Sequence, residues 1–194
     1  PHRGRRDHQT PGRLGVSPAT RTVNALLRSG VTHVVGIPDN TSGPLFDEVV
    51  RHPTIRLVTV TREGEGVALA SGLWLGGASP LLVIQNTGLL ESGDAIRGTA
   101  LRMGAPLPMV VTGRGYAKMR RAGAAPDDER TLESLTRPDV DSAALLTEPT
   151  LAAWGIPLTT CDEGGDPPAD IAGLVDGARR AERPVALILT RPLA

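Results

Sequence analysis

The sequence of 194 residues is poor in aromatic side chains, cysteine and lysine. Its aromatic residues are only Phe46, Trp74, Tyr116 and Trp154, so a hydrophobic core must consist mainly of Val, Leu, Ile and Ala. A single cysteine, Cys161, cannot form an internal disulfide, which favours a reducing compartment. We therefore expect a cytoplasmic protein with an aliphatic core.

The sequence also lacks long apolar runs and an excess of either charge. No apolar run reaches the roughly 18 residues of a membrane span, and no signal peptide is recognisable. Lys+Arg and Asp+Glu both number 21, whereas nucleic-acid binding requires a strongly basic face. The 4 histidines show no metal-ligand spacing. We therefore predict no membrane or nucleic-acid partner and no metal ligands in this chain.

The sequence does contain an alternation of strand and helix patterns. Short apolar runs predict six strands, at residues 33–37, 55–60, 81–85, 107–112, 157–161 and 185–189. Helical patterns separate most of them, including residues 63–76, 92–103 and 168–180, with a short helix at 149–154. This alternation is typical of a parallel sheet covered on both faces. The sequence therefore predicts one doubly wound α/β domain over residues 16–194, with a mostly parallel six-stranded sheet.

Two segments do not follow the alternating pattern. Residues 1–15 are polar and rich in arginine, which predicts a disordered basic tail. Residues 116–130 hold charges, Gly and Pro without apolar periodicity, which predicts a mobile loop. Neither segment is expected to contribute to the sheet.

Four polar or Gly-containing loops follow predicted strands directly: residues 38–41, 61–63, 86–88 and 113–115. Ligands of open parallel sheets bind beyond the carboxyl ends of the strands. Glu63 ends a strand and begins a helix, where the helix dipole favours a carboxylate. From the residues alone, a solvated first-turn glutamate is the favoured interpretation. The Gly113-Arg114-Gly115 loop is either a plain turn or an anion-binding arginine site. The residues alone thus predict an α/β domain with a candidate ligand edge.

Four motifs, in their order and spacing, resemble the pyrimidine-binding domain of thiamine-diphosphate-dependent decarboxylases. Residues 30–38 (GVTHVVGIP) are similar to the first strand and turn of that domain. Residues 61–72 (TREGEGVALASG) are similar to its strand–glutamate–helix segment. Residues 84–89 (IQNTGL) and 113–115 (GRG) are similar to the "QNSGL" and "WRG" of the sulfopyruvate and phosphonopyruvate decarboxylase group. Together the matches cover about residues 23–115.

The resemblance implies a catalytic role for Glu63, because the family's spacing to Gly72 selects Glu63 over Glu65. In the family this glutamate hydrogen-bonds the aminopyrimidine ring of thiamine diphosphate, and the cofactor acts as an electron sink while a 2-oxo acid loses CO₂. Glu65 lies ~200° further around the helix, so we expect it to face elsewhere, for example towards a subunit contact.

The resemblance also implies further site residues. Cofactor contacts beside Glu63 are expected from Pro38, Asn86 and Gly88, and substrate contacts from Asn40, Gln85 and Arg114. The chain departs from the group's pattern in three places. Leu90-Glu91 stands where the group has "GN", Gly113 stands where it has Trp, and the region after Gly115 lacks the group's Asp/His-bearing pattern. Another 2-oxo acid is therefore a possible substrate.

The family's "GDG…N" motif, which binds Mg²⁺ and the diphosphate, has no match in this sequence. The resemblance therefore implies an alpha subunit that is active only in a hetero-oligomer with a beta subunit carrying that motif. The Ala/Gly-rich helix from Glu63 to Gly77 offers a close-packing surface for the partner, or else packs inside its own domain. Two alternatives remain: a carboligase of the acyloin or acetolactate type, and a non-catalytic regulatory subunit.

Overall fold

The computed structural model describes residues 16–193 and contains a six-stranded sheet in which every pair of neighbouring strands is parallel. The strand order is β2-β1-β3-β4-β6-β5. The strands are β1 (His33–Gly36), β2 (Arg56–Thr59), β3 (Pro80–Gln85), β4 (Pro108–Thr112), β5 (Leu158–Cys161) and β6 (Val185–Leu189). The predicted doubly wound α/β fold is confirmed, with all six strands in the expected places. The predicted disordered tail, residues 1–15, lies outside the described residues.

Helices cover both faces of the sheet. One face carries α1 (Pro18–Arg28), α2 (Gly43–Arg51) and α10 (Pro167–Ala181). The other carries α3 (Glu63–Leu75), α4 (Asn86–Glu91), α5 (Gly93–Ala95), a π-helical turn (Ile96–Ala100), α6 (Leu101–Met103), α7 (Tyr116–Arg121), α8 (Leu132–Thr136) and α9 (Ser142–Ala153).

Successive residues of each central strand supply the two cores in turn, because side chains in a strand alternate between the faces. Val34 and Val83 pack beneath α1 and α2, whereas Val35 and Leu82 pack beneath α3. Both cores are aliphatic, as the composition predicts.

The backbones of β1 and β3 approach each other closely at Gly36. A Cβ atom at this position would lie 1.8 Å from the carbonyl oxygen of Val83. Only glycine fits there without moving the backbone, so the end of β1 is fixed next to the end of β3. This contact brings the loops that follow these two strands together.

The chain between β3 and β4 is helical from its first residue, which corrects the expected loop at 86–88 and the expected helix start at 92. Asn86, Thr87 and Gly88 form the first turn of α4. The helical run then continues to Met103 through a π-helical turn at Ile96–Ala100. Asn86 and Leu89 are fully buried, so tertiary packing stabilises a helix that Gly88 by itself disfavours.

The segment predicted as a mobile loop begins with a helix, α7, in which Tyr116 and Met119 are buried against the core. These two side chains, three residues apart, are enough to hold the helix against the core, although they are too few to form a recognisable pattern in the sequence. Pro149 lies inside α9 instead of starting a helix. The buried Leu145 and Leu151 hold this helix to the core on both sides of the proline.

Candidate active site

The side chain of Asp39 joins the loop after β1 to the last residues of β3 and β4. Its Oδ1 atom accepts hydrogen bonds from the backbone N–H of Thr41 at 3.0 Å and from the N–H and hydroxyl of Ser42, both at 2.8 Å. Its Oδ2 atom accepts from Nε2 of Gln85 at 3.1 Å and from the hydroxyl of Thr112. One carboxylate therefore connects three strand ends.

The environment of Asp39 keeps its carboxylate ionised. Burial alone would raise the pKa of Asp39, but the hydrogen bonds from Thr112, Ser42 and Gln85 outweigh that effect and lower the pKa. Ser42 and Thr112 are themselves buried. Asp39 is therefore a structural anion whose hydrogen-bonding capacity is satisfied by its own chain.

Glu63 is the first residue of α3, directly after the extended Arg62. Its side chain is partly buried and lies over Gly88 in the first turn of α4. A Cβ atom at position 88 would lie 2.2 Å from Cγ and Cδ of Glu63 and 2.3 Å from Oε1. The missing side chain of Gly88 is thus the space that the Glu63 carboxyl group occupies.

No hydrogen bond within residues 16–193 uses the carboxylate of Glu63. Glu65 differs, because its Oε2 atom accepts from the N–H of Thr61 at 3.2 Å and from the hydroxyl of Thr61 at 3.1 Å. Glu65 therefore stabilises the turn that leads into its own helix. Glu63 is the carboxylate of this turn that is left available for a ligand.

Glu91 fixes the start of α3 from the end of α4. Its Oε2 atom accepts from the N–H of Gly64 at 3.2 Å, and its Oε1 atom pairs with the Arg62 guanidinium. Hydrogen bonding by Arg62, followed by that from Gly64, lowers the pKa of Glu91. The two residues that flank Glu63 are therefore both bound by one carboxylate.

Asn86 connects the start of α4 with the loop after β4. Its Nδ2 atom donates to the carbonyl oxygen of Arg114 at 2.9 Å and to the hydroxyl of Thr147 at 3.2 Å. Its Oδ1 atom is buried without a hydrogen-bond partner in the described part of the chain. Asn86 is fully buried, so in the isolated chain it acts as a structural link between the two loops.

A second polar pair lies beside this link. The hydroxyl of Tyr116 donates to Oε1 of Glu148 at 3.3 Å. Burial raises the pKa of Tyr116, and the Glu148 charge adds to this effect. Burial also raises the pKa of Glu148. The Tyr116 ring occupies space next to Gly113, where a Cβ atom would lie 2.9 Å from it, so a larger residue at 113 would collide with this ring.

Arg114 forms an ion pair within the chain, from its Nε to Oδ2 of Asp141 at 3.2 Å. The Arg114 side chain is nevertheless 61% exposed. Asp141 also caps α9 by accepting from the N–H of Ala143, and Gly115, with φ +85°, leaves space for the Asp141 side chain. The guanidinium is thus anchored at one end and open to solvent at the other.

The remaining predicted residues lie at the same edge of the sheet. Gln85 is held between Asp39 and Thr87, whose hydroxyl donates to its Oε1 atom at 2.9 Å. Pro38 and Asn40 are exposed on the loop after β1. Direct contact within the predicted set is observed between Glu63 and Gly88 and between Asn86 and Arg114. The contributions of Asp39 and Glu91 were not predicted, since both depend on residues far away in the sequence.

No group of three or more His, Cys, Asp or Glu residues within 16–193 is arranged to hold a metal ion. No helix in that range combines the length and apolarity needed to cross a bilayer.

Comparison with known families matches the segment that contains Asp39, Glu63, Asn86 and Arg114. A family profile described as "Thiamine pyrophosphate enzyme, N-terminal TPP binding domain" matches residues 19–132. The chain is 40% identical over 93 residues to phosphonopyruvate decarboxylase of Streptomyces viridochromogenes, covering 48% of this chain and 23% of that protein. It is 30% identical over 111 residues to sulfopyruvate decarboxylase subunit alpha of Methanococcus maripaludis, covering 57% of this chain and 66% of that subunit.

Solved structures have the same fold at low sequence identity. Benzoylformate decarboxylase of Polynucleobacter necessarius superposes with a TM-score of 0.60 and 20% identity, over 91% of this chain and 30% of that chain. A 4-hydroxybenzoylformate decarboxylase of Rhodococcus jostii superposes with a TM-score of 0.60 and 18% identity, over 90% and 30% of the two chains.

Among the sequence relatives, the region that matches this chain spans less than a quarter of the phosphonopyruvate decarboxylase and about two thirds of the alpha subunit.

Proposed function

The chain belongs to the thiamine pyrophosphate enzyme family through its N-terminal TPP-binding domain, and on this premise we propose that it is the pyrimidine-binding subunit of a 2-oxo acid decarboxylase. The observation that carries the proposal is the Glu63 carboxylate, which lies at the carboxyl edge of the sheet without a hydrogen-bond partner among residues 16–193. Ligands of open parallel sheets bind at this edge, so a carboxylate there is suited to contact one.

We propose that Glu63 and the residues around it contact the pyrimidine ring of thiamine diphosphate. The carboxyl group lies in the space left by the absent side chain of Gly88, and its neighbour Glu65 is already bound to Thr61. The first turn of α3, with Glu63, and the first turn of α4, with Gly88, lie against each other. We call the space at Gly88 that holds the Glu63 carboxyl group the cradle. In this proposal a ring nitrogen that approaches this edge of the sheet meets the Glu63 carboxylate as its hydrogen-bonding group.

When bound, thiamine diphosphate supplies the electron sink for the loss of CO₂ from a 2-oxo acid. In our proposal the chain contributes a proton-sharing group, because Glu63 forms a hydrogen bond to a nitrogen of the pyrimidine ring and so controls the protonation state of that ring. Glu91 and Gly88 hold this group in place from α4.

We propose a substrate with a second anionic group, in line with the names of the phosphonopyruvate and sulfopyruvate decarboxylases to which the chain is similar. Arg114 is suited to bind that group, since its exposed guanidinium is bonded to Asp141 through Nε alone among the described residues, and an arginine fork matches phosphonate or sulfonate oxygens. Asn40 and Gln85 line the same edge and are proposed to contact the 2-oxo acid end.

We propose that a partner subunit binds the diphosphate and Mg²⁺. The outward face of α3 supports a partner, because Ala68, Leu69, Gly72, Leu75 and Gly76 are exposed there and Leu75 is 71% exposed. A helix that is apolar on all sides is typically covered on all sides. Relatives that match the chain over 66% and 53% of their length are named as alpha subunits.

Calorimetric titration with thiamine diphosphate and Mg²⁺ tests the proposal, first on this chain and then on the chain reconstituted with its partner. A charge-assisted hydrogen bond to the Glu63 carboxylate contributes about 1.5–3 kcal/mol, whereas micromolar affinity requires about 8 kcal/mol. We expect micromolar binding and CO₂ release only from the pair. Micromolar binding by this chain alone would refute the need for a partner.

A panel of 2-oxo acids then separates the competing activities of the pair. An aldehyde and CO₂ support the decarboxylase, a hydroxyketone identifies a carboligase, and binding without turnover identifies a regulatory subunit. For Arg114→Ala we expect KM to rise about tenfold for substrates with a second anionic group, the loss of one charge-assisted contact, and to stay unchanged for pyruvate. Arg120→Ala, which removes an exposed arginine from α7, is the matched control.

A further inference from the structure

We propose that Glu91 is a positioning residue for Glu63, which it serves by binding the start of α3 to the end of α4. The inference rests on the proposed function of Glu63. It extends that function to Glu91, a residue at which the chain differs from the motif of the decarboxylase group that it resembles. Leu90-Glu91 stands where the sulfopyruvate and phosphonopyruvate decarboxylase group has "GN". The carboxylate of Glu91 is therefore a feature of this chain that the family pattern does not predict.

Two residues on one side of α4 contact the start of α3. Gly88 and Glu91 are three residues apart, so they lie next to each other on the helix surface. Gly88 leaves space for the Glu63 side chain, and Glu91 binds Arg62 and Gly64 on either side of Glu63. The same helix thus forms the cradle and holds the backbone from which Glu63 extends into it.

The first turn of α3 needs such an external contact. Its sequence, Glu63-Gly64-Glu65-Gly66, contains two glycines, which are poor helix formers. The N–H of Gly64 is among the first four of the helix, which have no acceptor within it. Glu91 supplies that acceptor at 3.2 Å, so it satisfies a free donor in the glycine-containing first turn of the helix.

The Glu91 contact lies at the protein surface, and the carboxylate in it is ionised. The Glu91 side chain is 35% exposed, compared with 74% for Arg62. Hydrogen bonds from Arg62 and Gly64 lower the pKa of Glu91, which keeps it a carboxylate at neutral pH. An ionised acceptor strengthens the bond to the Gly64 N–H.

The test compares Glu91→Ala and Glu91→Gln with wild type, using Asp94→Ala as the control. Asp94 carries the same charge one turn further along, is 92% exposed and pairs with Arg97. On the chain alone, amide hydrogen exchange is measured for residues 62–66. We expect faster exchange in Glu91→Ala, an intermediate rate in Glu91→Gln, whose amide oxygen still accepts from Gly64, and the wild-type rate in Asp94→Ala.

On the reconstituted pair, the rate of hydrogen–deuterium exchange at C2 of thiamine diphosphate is measured together with kcat and KM. We expect Glu91→Ala to lower kcat and the C2 exchange rate about 10- to 100-fold, the effect of misplacing a reacting group by up to ~1 Å. KM for substrate should remain within a factor of about two, because binding energy lost only in the transition state lowers kcat. Glu91→Gln should recover part of the loss.

The positioning role would be overturned if Glu91→Ala kept the wild-type kcat and C2 exchange rate in an assay in which Glu63→Gln is slow. The same loss in Asp94→Ala would also overturn it. If Glu63→Gln itself matches wild type, the proposed function of Glu63 fails, and the amide exchange of residues 62–66 still decides whether Glu91 tethers α3. Should Glu91→Ala not fold, the same comparisons apply to Glu91→Gln.

Discussion

Asp39 and Glu63 follow the neighbouring strands β1 and β2, and both carboxylates lie at the carboxyl edge of the sheet. Asp39 accepts five hydrogen bonds from its own chain. Glu63 accepts none within residues 16–193 and lies against the α-carbon of Gly88. Glu63 is only partly buried, so water can solvate its carboxylate in the isolated chain and a ligand can replace that water. The satisfied carboxylate is structural, and the unsatisfied one is available for chemistry.

The largest effect that would test this contrast is expected from Glu63→Gln. The change is nearly isosteric, so the free energy of unfolding should be unchanged. The amide cannot share a proton with the pyrimidine ring, so C2 exchange and turnover by the reconstituted pair should fall roughly 10²- to 10⁴-fold, the usual contribution of a positioned acid–base group. Glu65→Gln is the matched control and should retain wild-type rates. Equal activity of the two variants would contradict the assignment.

A smaller loss is expected when the cradle is filled instead. In Gly88→Ala the new Cβ would lie 2.2 Å from Cγ of Glu63, so the carboxyl group must move. We expect turnover to fall about 100-fold, since a displacement of ~1 Å can have that effect. Gly173→Ala is the control, because nothing lies within 4 Å of its added Cβ in α10. An active Gly88→Ala enzyme would show that the observed Glu63 position is not required.

Asp39→Asn should differ from the two preceding variants, because its expected effect is a loss of stability. An amide group donates where the carboxylate accepts, so at least one of the donors on Ser42, Thr41, Gln85 or Thr112 loses its acceptor. We expect the free energy of unfolding to fall by about 1.5–3 kcal/mol, the value of a hydrogen bond to a charged group. Denaturant titration measures it. Asp94→Asn should change stability by less than about 0.5 kcal/mol, and a similar change in Asp39→Asn would refute the structural role.

The smallest expected effect is a pH dependence that Asp39 alone contributes. Its folded-state pKa is lowered from the ordinary value of 3.8, so its contribution is fully present above that pH and is lost as the pH falls through the folded-state pKa. The stability difference between wild type and Asp39→Asn should therefore be constant near neutrality and shrink below about pH 4. Urea titrations at several acidic pH values measure it. A stability difference that grows towards low pH would contradict a lowered folded-state pKa of Asp39.

Most of the fold could be predicted because it depends on local patterns. The strands at 81–85 and 185–189 are short apolar runs, and these runs are buried in the sheet on both faces. The helical first turn at Asn86 was not predictable, since it depends on contacts with Arg114 and Thr147, 28 and 61 residues away. The helix at Tyr116–Arg121 has only two core anchors, which is too short a repeat to detect.

The candidate site was predictable only where family motifs exist. The spacing between Glu63 and Gly72 selected Glu63, whereas nothing near Asp39 in the sequence indicates bonds to Gln85 and Thr112, 46 and 73 residues away. Likewise, Glu91 was visible only as a departure from a pattern. Contacts across the edge of a parallel sheet join residues that the crossover helices separate, so they become apparent only in three dimensions.

The position of β6 has a consequence for how the chain folds during synthesis. β6 lies between β4 and β5, and β5 pairs with no other strand of the described sheet. The edge strand β5 is therefore translated before β6, the strand with which it pairs. Until Leu189 has left the ribosomal exit tunnel, Leu158–Cys161 has no hydrogen-bonding neighbour and one side of β4 stays uncovered. The sheet can close only after β6 has emerged, with β6 completing both of its neighbours in one step.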